Sequence, residues 1–375
     1  MKITRRSLLL GTSVVASHAA EPRLTEVEVY RSGEDGYHSY RIPALFTTRR
    51  STLLAFCEGR KNSRSDTGNI DLLLKRSFDN GRTWSRASVI EDHGEDTIGN
   101  PCPAQDRRTG AIWLPLTKNP GRYGENRNRA NETDGTRTVW LSHSKDDGKT
   151  WAKAVEITSS TKHPDWTWYA TGPGNGIQLS TGRLLIPCDH NRRGSGARHS
   201  HTIHSDDGGK SWRIGGVLGE HTNECAAVEL ADGSVMMNMR SYHGRNRRAV
   251  AISKDGGLTW TGVTLDEALI EPVCQASLIR YTLRGVRANR NRLLFSNPAG
   301  AERANLTVRL SYDEGATWPV SRLLHGGPAA YSSLAVLRDR TVGCLYERGA
   351  ANPYETIRFT NFNLEWLTEG RDSIA

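Results

Sequence analysis

One eight-residue pattern, Ser-x-Asp-x-Gly-x-(Thr/Ser)-Trp, occurs five times in this chain of 375 residues. Successive copies begin 67, 61, 48 and 58 residues apart, which is room for about four short strands and their turns. A repeat at this spacing predicts a set of similar units stacked side by side. The five copies are Ser77–Trp84, Ser144–Trp151, Ser205–Trp212, Ser253–Trp260 and Ser311–Trp318.

The residue types of the repeat predict a stapled turn between two strands. An Asp side chain can accept hydrogen bonds from backbone amides two residues on, and Gly supplies a position with positive φ. The Trp ring is then expected to pack against its own sheet, with its indole N–H bonded to a backbone acceptor. The five Asp residues are therefore interpreted as structural.

A strand-like apolar run precedes each copy of the repeat, and no segment of ten or more residues has helical periodicity. The five runs are Ile70–Leu74, Val139–Leu141, Thr202–His204, Ala249–Ile252 and Leu306–Leu310. Repeated four-stranded units close radially into a propeller. With room for one further sheet that lacks the repeat, we predict an all-β, six-bladed β-propeller of four-stranded antiparallel blades, forming one domain over residues 25–370.

Composition and charge limit the class of protein. A hydrophobic share of 36% and a charged share of 24% argue against a disordered, a collagen-like or a multi-span membrane chain. The net charge is +9, and without residues 1–20 it falls to 47 basic against 41 acidic residues. The densest basic stretch, 245–248, is short and is interpreted as a surface turn, so no nucleic acid partner is predicted.

Residues 1–20 have the order of an export signal. Arg5 and Arg6 precede a short apolar run and small residues up to Ala20, as in a cleaved twin-arginine signal. A frayed basic terminus is the other interpretation. No later run is long enough to span a membrane. We expect an exported protein, either periplasmic or secreted.

Cysteine and histidine patterns predict no metal site. The six Cys residues form no C-x-x-C pair, and several lie in apolar runs typical of buried thiols, while a disulfide remains an alternative. His199, His201 and His204 have the spacing of a strand and no accompanying zinc pattern. They are interpreted as structural or surface side chains.

The repeat alone is weakly specific, since propellers without catalytic activity also carry it. Sharper motifs lie in eight segments: Tyr40–Pro43, Cys57–Arg60, Ser65–Asp71, Asn223–Glu224, Asn238–Arg240, Arg303–Thr307, Ala330–Leu334 and Leu345–Arg348. With these motifs the chain after residue 20 resembles the exo-α-sialidase (neuraminidase) family of glycoside hydrolases.

The resemblance implies a clamp of three arginines, Arg41, Arg240 and Arg303, around the carboxylate of sialic acid. Planar guanidinium groups hold a carboxylate in a fixed orientation better than ammonium groups do. Converging cations need a carboxylate behind them, and the resemblance assigns that role to Glu347 behind Arg41. Arg309 is the rival for the third arginine.

The resemblance also implies a tyrosine nucleophile, Tyr331, with Glu224 as the base that removes its proton. A neutral phenol avoids the repulsion that a carboxylate nucleophile would meet beside the substrate's own carboxylate. Glu229 is the competing glutamate. These roles predict retention of anomeric configuration through a covalent tyrosyl–sialyl intermediate.

Asp66 is the implied general acid and base, which requires its pKa to be raised toward the working pH. Asp71 lies five residues away and is interpreted as a strand-end residue. Arg60 is expected to hold hydroxyl groups of the sugar ring. The N-acetyl pocket is expected to be apolar and to draw on residues 98–103 and 168–174, and residues 119–137 are predicted to form a long rim loop.

The resulting prediction is an enzyme without metal or organic cofactor that acts on sialylated oligosaccharides, glycoproteins or gangliosides. A non-catalytic glycan-binding propeller is one alternative. A related glycosidase for another anionic ulosonic acid, or a trans-sialidase, is another, and a structural scaffold is a third. Linkage preference and oligomeric state are left open by the sequence.

Overall fold

Strands account for nearly all the regular structure of the chain in this computed structural model, which describes residues 20–124 and 137–374. The predicted leader, apart from Ala20, and residues 125–136 of the predicted rim loop lie outside the described residues. In chain order the strands are β1 Leu24–Arg31, β2 Ser39–Thr47, β3 Leu53–Arg60, β4 Ile70–Ser77, β5 Ser88–Glu91, β6 Thr97–Gly99, β7 Ala104–Gln105, β8 Ile112–Asn119, β9 Thr138–Ser144, β10 Val155–Glu156, β11 Trp166–Thr171, β12 Ile177–Gln178, β13 Leu184–Arg192, β14 Arg198–Ser205, β15 Arg213–Glu220, β16 Thr222–Glu229, β17 Val235–Ser241, β18 Arg247–Ser253, β19 Thr264–Ile270, β20 Ser277–Thr282, β21 Arg292–Pro298, β22 Ala304–Ser311, β23 Val320–Val336, β24 Val342–Arg348 and β25 Thr356–Phe362.

Two short helices, α1 (Thr158–Thr161) and α2 (Leu364–Thr368), complete the regular elements of the described residues. Among residues 20–124 and 137–374, no helix is long and apolar enough to cross a membrane. The expectation of an all-β chain is confirmed.

The strands form four sheets with mainly antiparallel pairing. One sheet has the order β1-β25-β24-β23-β22-β21-β20, and a second has the order β10-β9-β8-β6-β4-β3-β2, with β5 paired to β4 and β7 to β8. The third has the order β11-β13-β14-β15, with β12 paired to β13, and the fourth has the order β16-β17-β18-β19. All five runs predicted as strands lie within strands.

Two pairings tie distant parts of the chain together. Strand β1 pairs antiparallel with β25, so that Leu24 faces Phe362 and Arg31 faces Thr356. The long strand β23 changes partner along its length: up to Pro328 it pairs with β22, and from Ala329 onward it pairs with β24. Tyr331 lies just after this change of partner.

Each repeat forms the stapled turn that its residues predict. In the third copy Ser205 Oγ donates to Asp207 Oδ1 (2.8 Å), and Asp207 also accepts from the backbone N and Oγ of Ser211 (2.9 and 2.6 Å). The backbone N of Gly209 donates to Ser205 Oγ (2.8 Å). The same bonds occur in the other four copies.

The Trp residues of the repeats only partly follow the prediction. Trp84 and Trp212 donate to backbone carbonyls, but Trp318 donates to the carboxylate of Asp266. The ring of Trp84 packs on Phe359 of β25, at 5.4 Å between ring centroids, and so contacts a different sheet from its own. This contact is available because Gly81 has no side chain: a Cβ there would lie 2.0 Å from the Phe359 ring. The Trp84 ring therefore packs against residues of both sheets.

Candidate active site

Strand ends from several sheets bring seven of the eight predicted site residues to one cavity. Its lining includes Arg41 from β2, Arg60 at the end of β3, Glu224 from β16, Arg240 from β17 and Tyr331 from β23. Asp66, from the connection between β3 and β4, and Arg303, next to the start of β22, line the same cavity. The eighth residue, Glu347, lies behind the wall and is fully buried.

Glu347 holds the side chain of Arg41 with both carboxylate oxygens. Arg41 Nε donates to Oε1 (3.0 Å) and Nη2 donates to Oε2 (3.2 Å), so that the guanidinium plane is fixed. The backbone N–H groups of Ile42 and Tyr331 donate to the same carboxylate (2.9 and 3.1 Å). Burial is the largest influence and opposes the charge on Arg41, but Glu347 together with Tyr354, Tyr331 and Asp66 outweighs it, and the pKa of Arg41 is raised well above its ordinary value.

The phenol of Tyr331 lies among the three arginines. The guanidinium carbon atoms of Arg41 and Arg303 lie 5.1 and 5.6 Å from its ring centroid. Arg240 Nη1 lies 3.3 Å from the phenol oxygen and donates to Glu224 Oε2 at 2.8 Å. Three cations and one hydroxyl group therefore line the same space.

Tyr331 donates its phenolic hydrogen to Glu224 Oε1. The Tyr331 side chain is buried, and burial together with the Glu224 charge raises its pKa well above the ordinary value, although Arg240 and Arg303 act in the opposite direction. The phenol is therefore protonated at neutral pH. Because Glu224 accepts its hydrogen, it is the group in position to remove that proton.

The pKa of the Asp66 carboxyl group differs from the expectation. Partial desolvation favours its neutral form, but the cations of Arg60 and Arg41 outweigh this and lower the pKa of the carboxyl group. Asp66 Oδ1 lies 2.7 Å from Arg60 Nη1 and 3.5 Å from Arg41 Nη1, and the Asp66 side chain is 63% exposed. The expected raised pKa is therefore wrong for the protein without substrate, because two guanidinium groups stabilise the carboxylate.

The three rival residues lie outside this cavity. Arg309 is buried in β22 and donates to Asn297 Oδ1 (3.0 Å). Glu229, at the end of β16, accepts from the backbone N of Ser180 (2.9 Å). Asp71 is buried in β4, where it accepts from Tyr37 Oη (2.7 Å) and pairs with Lys61 Nζ (3.0 Å).

Several residues of the cavity were missed by the sequence analysis because no motif marks them. Arg137 has its guanidinium carbon 4.0 Å from the centroid of the Trp168 ring, and its Nη2 donates to Asn100 Oδ1 (2.8 Å). Tyr242, also in the lining, accepts from Arg240 Nη2 (2.7 Å). Tyr354 lies outside the lining and accepts from Arg303 Nη1 (2.8 Å). Asn100 and Trp168 come from the two segments expected to form an apolar pocket, so this wall is partly polar.

The cysteines and histidines that could have formed a metal site are buried in the core. All six Cys residues are free and buried, in agreement with the favoured interpretation. His190 and His201 are in hydrogen-bond contact (3.0 Å between their Nδ1 atoms), and His190 stacks on Trp166. Burial lowers the pKa of His201 to about 3. Within residues 20–124 and 137–374, no group of three His, Cys, Asp or Glu side chains is arranged to hold a metal ion.

Comparison with known proteins finds the BNR repeat-like domain over residues 51–344. A sialidase of Micromonospora viridifaciens is 36% identical over 92% of this chain and 55% of its own length. An exo-alpha-sialidase of Aspergillus fumigatus is 32% identical over 89% of this chain and 86% of its own length. The solved structure of the Hadza microbial sialidase Hz136 superimposes with a TM-score of 0.83 at 33% identity, covering 91% of this chain and 69% of that one. The chain thus spans about half the length of the Micromonospora relative.

Proposed function

The chain belongs to the sialidase family, and from that premise we propose that it is an exo-α-sialidase that releases terminal sialic acid from glycoconjugates with retention of configuration. One observation carries the proposal: Tyr331 donates a hydrogen bond to Glu224 within a cavity that three arginines also line. A carboxylated sugar satisfies the cations, and its anomeric carbon then lies beside the phenol.

In the proposed first step, the Tyr331 oxygen attacks the anomeric carbon while Glu224 accepts the phenolic proton. The bond to the leaving oxygen breaks, and Asp66 donates a proton to that oxygen. In the second step, Asp66 removes a proton from water, which attacks the anomeric carbon and displaces Tyr331. Glu224 returns the proton to the phenolate.

Asp66 must be protonated when the leaving group departs, although Arg60 and Arg41 lower its pKa in the free protein. We propose that the substrate corrects this mismatch. Its carboxylate adds a negative charge beside Arg41, weakens the cationic field at Asp66 and so raises the pKa of that carboxyl group. The approaching leaving group also displaces water from an otherwise exposed side chain.

Arg60 is proposed to contact ring hydroxyl groups, since it lines the cavity on the same side as Asp66. The segments 98–103 and 168–174 are proposed to surround the N-acyl group, with Asn100 and Trp168 on the cavity wall. The fold supports a single domain over residues 25–370. We propose that its four sheets comprise six four-stranded antiparallel blades of a propeller, with two joined pairs of blades in the larger sheets.

Export through a twin-arginine signal in residues 1–20 is also proposed, on the order of charged, apolar and small residues in that segment. Fusing residues 1–20 to a reporter enzyme tests it. The reporter is expected outside the cytoplasm, and Arg5→Lys together with Arg6→Lys is expected to retain it inside.

The activity is tested with an aryl α-sialoside and with a sialylated oligosaccharide, and an aryl β-hexosaminide serves as the control substrate. The wild-type protein is expected to release the aryl group from the α-sialoside only. Asp66→Ala is expected to lose more activity on the oligosaccharide than on the aryl sialoside, because an aryl leaving group needs little protonation. If the wild-type protein releases nothing but binds the glycan, the non-catalytic binding alternative is correct.

A further inference from the structure

A buried carboxylate behind Asp66, that of Glu58, has no role in the proposed reaction. Glu58 lies in β3, two residues before Arg60, and both side chains are almost fully buried (3% and 2% exposed). Oxygen Oε2 of Glu58 accepts from Arg60 Nε (3.1 Å) and from Arg60 Nη2 (2.7 Å). The guanidinium group thus has its counter-charge within the wall of the cavity, because Glu58 is itself a lining residue.

The second oxygen of Glu58 also has a hydrogen-bond partner. Glu58 Oε1 accepts from the backbone N of Asn100 (3.1 Å). Gly99 makes room for it, because a Cβ at that position would lie 2.0 Å from Oε1. With both oxygens engaged, the Glu58 carboxylate has one orientation.

This arrangement decides which part of Arg60 faces Asp66. Two of the three guanidinium nitrogens are bonded to Glu58, and the third, Nη1, lies 2.7 Å from Asp66 Oδ1 and also donates to the carbonyl of Arg64 (2.7 Å). A cation paired with a carboxylate exerts a weaker field on a third group than an unpaired cation does. Glu58 therefore both orients Arg60 and moderates its charge.

We propose that Glu58 is a positioning residue that sets, through Arg60, how readily Asp66 takes up a proton. The inference rests on the proposed function for the role of Asp66 as an acid. It assigns to Glu58 a task parallel to that of Glu347: each of the two arginines beside Asp66 has its own buried carboxylate, Glu347 for Arg41 and Glu58 for Arg60.

The other charged groups around Asp66 limit the size of the effect. Arg41 on β2 lies 3.5 Å away with Glu347 on β24 behind it, and Arg137, just before β9, adds a weaker cationic contribution. Glu58→Gln leaves the Arg41–Glu347 pair in place. Removing the Glu58 charge is thus expected to act on Asp66 through Arg60 and through the direct loss of a nearby negative charge, and both effects lower the pKa of Asp66.

The direct test is a titration of the Asp66 carboxyl carbon by NMR in protein labelled with ¹³C-aspartate, with Asp66→Asn used to assign the signal. Glu58→Gln keeps the shape of the side chain and removes its charge, so the pKa of Asp66 is expected to fall by roughly one unit. Glu58→Asp keeps the charge and is expected to restore most of the wild-type value.

Asp372→Asn is the matched control. Asp372 pairs with the buried Arg292 (2.8 and 2.7 Å) in a part of the fold remote from the cavity lining. This variant also turns a carboxylate bonded to a buried arginine into an amide, but the Asp66 titration is expected to match the wild-type curve. If Asp66 titrates identically in Glu58→Gln and in wild type, or if its pKa rises, the inference is overturned.

Kinetics provide the second readout. With a sialylated oligosaccharide, the alkaline limb of the kcat/KM–pH profile, which reports the free protein, is expected to move to lower pH in Glu58→Gln by the same shift as the titration, and to stay in place in Asp372→Asn. An unmoved limb beside a shifted titration overturns the link to the reaction. A wild-type protein without sialidase activity contradicts the proposed function, whereas the titration still decides the effect of Glu58 on Asp66.

Discussion

Tyr331 donates its phenolic hydrogen to Glu224 across a separation of 107 residues in the sequence. The two residues belong to β23 and β16, strands of two different sheets. In the proposed reaction this contact activates the phenol, because the acceptor of the hydrogen bond is also an acceptor for the proton.

Replacing the proposed nucleophile gives the first prediction. Tyr331→Phe removes the phenol oxygen and leaves the ring near the guanidinium groups of Arg41 and Arg303. Turnover of an aryl α-sialoside is expected to fall on the order of 10³-fold. Thermal unfolding and calorimetric binding of a sialic acid analogue are expected to stay close to wild type. Full turnover in this variant would refute the assignment of Tyr331.

The buried partner of Arg41 gives the second prediction. Glu347→Ala leaves Arg41 without its counter-charge, and breaking a buried ion pair costs about 3–5 kcal/mol in the free energy of unfolding. Denaturant titration measures this. Glu267→Ala is the control, because Glu267 is 66% exposed and pairs with surface arginines, where a loss of about 0–1 kcal/mol is expected. Equal losses in the two variants would contradict the argument.

The repeats give the third prediction. Asp207→Ala removes the acceptor for Ser205 and Ser211 in one stapled turn, and the free energy of unfolding is expected to fall by about 1–3 kcal/mol. Turnover per folded molecule is expected to stay at the wild-type level, since Asp207 lies outside the cavity lining. A specific loss of turnover at unchanged stability would give Asp207 a functional role instead.

The buried histidines give the fourth prediction, on acid stability. Burial lowers the pKa of His201 to about 3, below the ordinary value of about 6.5 that it regains on unfolding. Below pH 6.5 the unfolded chain therefore binds more protons than the folded one, and stability falls as the pH falls toward 3. Between pH 7 and pH 5 this one residue accounts for a loss of about 2 kcal/mol.

His201→Asn is expected to reduce the slope of stability against pH in that interval, as measured by denaturant titration at both pH values. His163→Asn is the control, because the His163 side chain is 56% exposed and lies outside the buried cluster. A slope in His201→Asn equal to that of wild type would show that His201 does not titrate in this way.

The local chemistry of the chain was readable from its residues. The Ser, Asp and Gly residues of the repeat predicted the hydrogen bonds of the turn, and the structure contains those bonds. The motif positions also predicted side chains that the fold brings to one cavity, among them Arg41 and Tyr331. Both kinds of information are local or are carried by a family resemblance.

The features that could not be predicted from the sequence depend on contacts between segments that are distant in the chain. Trp84 packs on Phe359 of another sheet, which no pattern near residue 84 indicates. The lowered pKa of Asp66 arises from Arg60 and Arg41. Their distances from Asp66 depend on how β2, β3 and the connection between β3 and β4 are placed in the fold. Arg137 and Tyr354 belong to no motif. Only the folded structure shows that Arg137 lies over the Trp168 ring and that Tyr354 accepts a hydrogen bond from Arg303.

The pairing of β1 with β25 has a consequence for how this protein is made. Among the described strands, β1 is synthesised first and β25 last, so β1 has no partner strand until β25 has been made. This sheet is therefore completed only after residues 356–362 have been synthesised. Shortening the chain by its final 20 residues would deprive β1 of its partner and expose a free edge to aggregation.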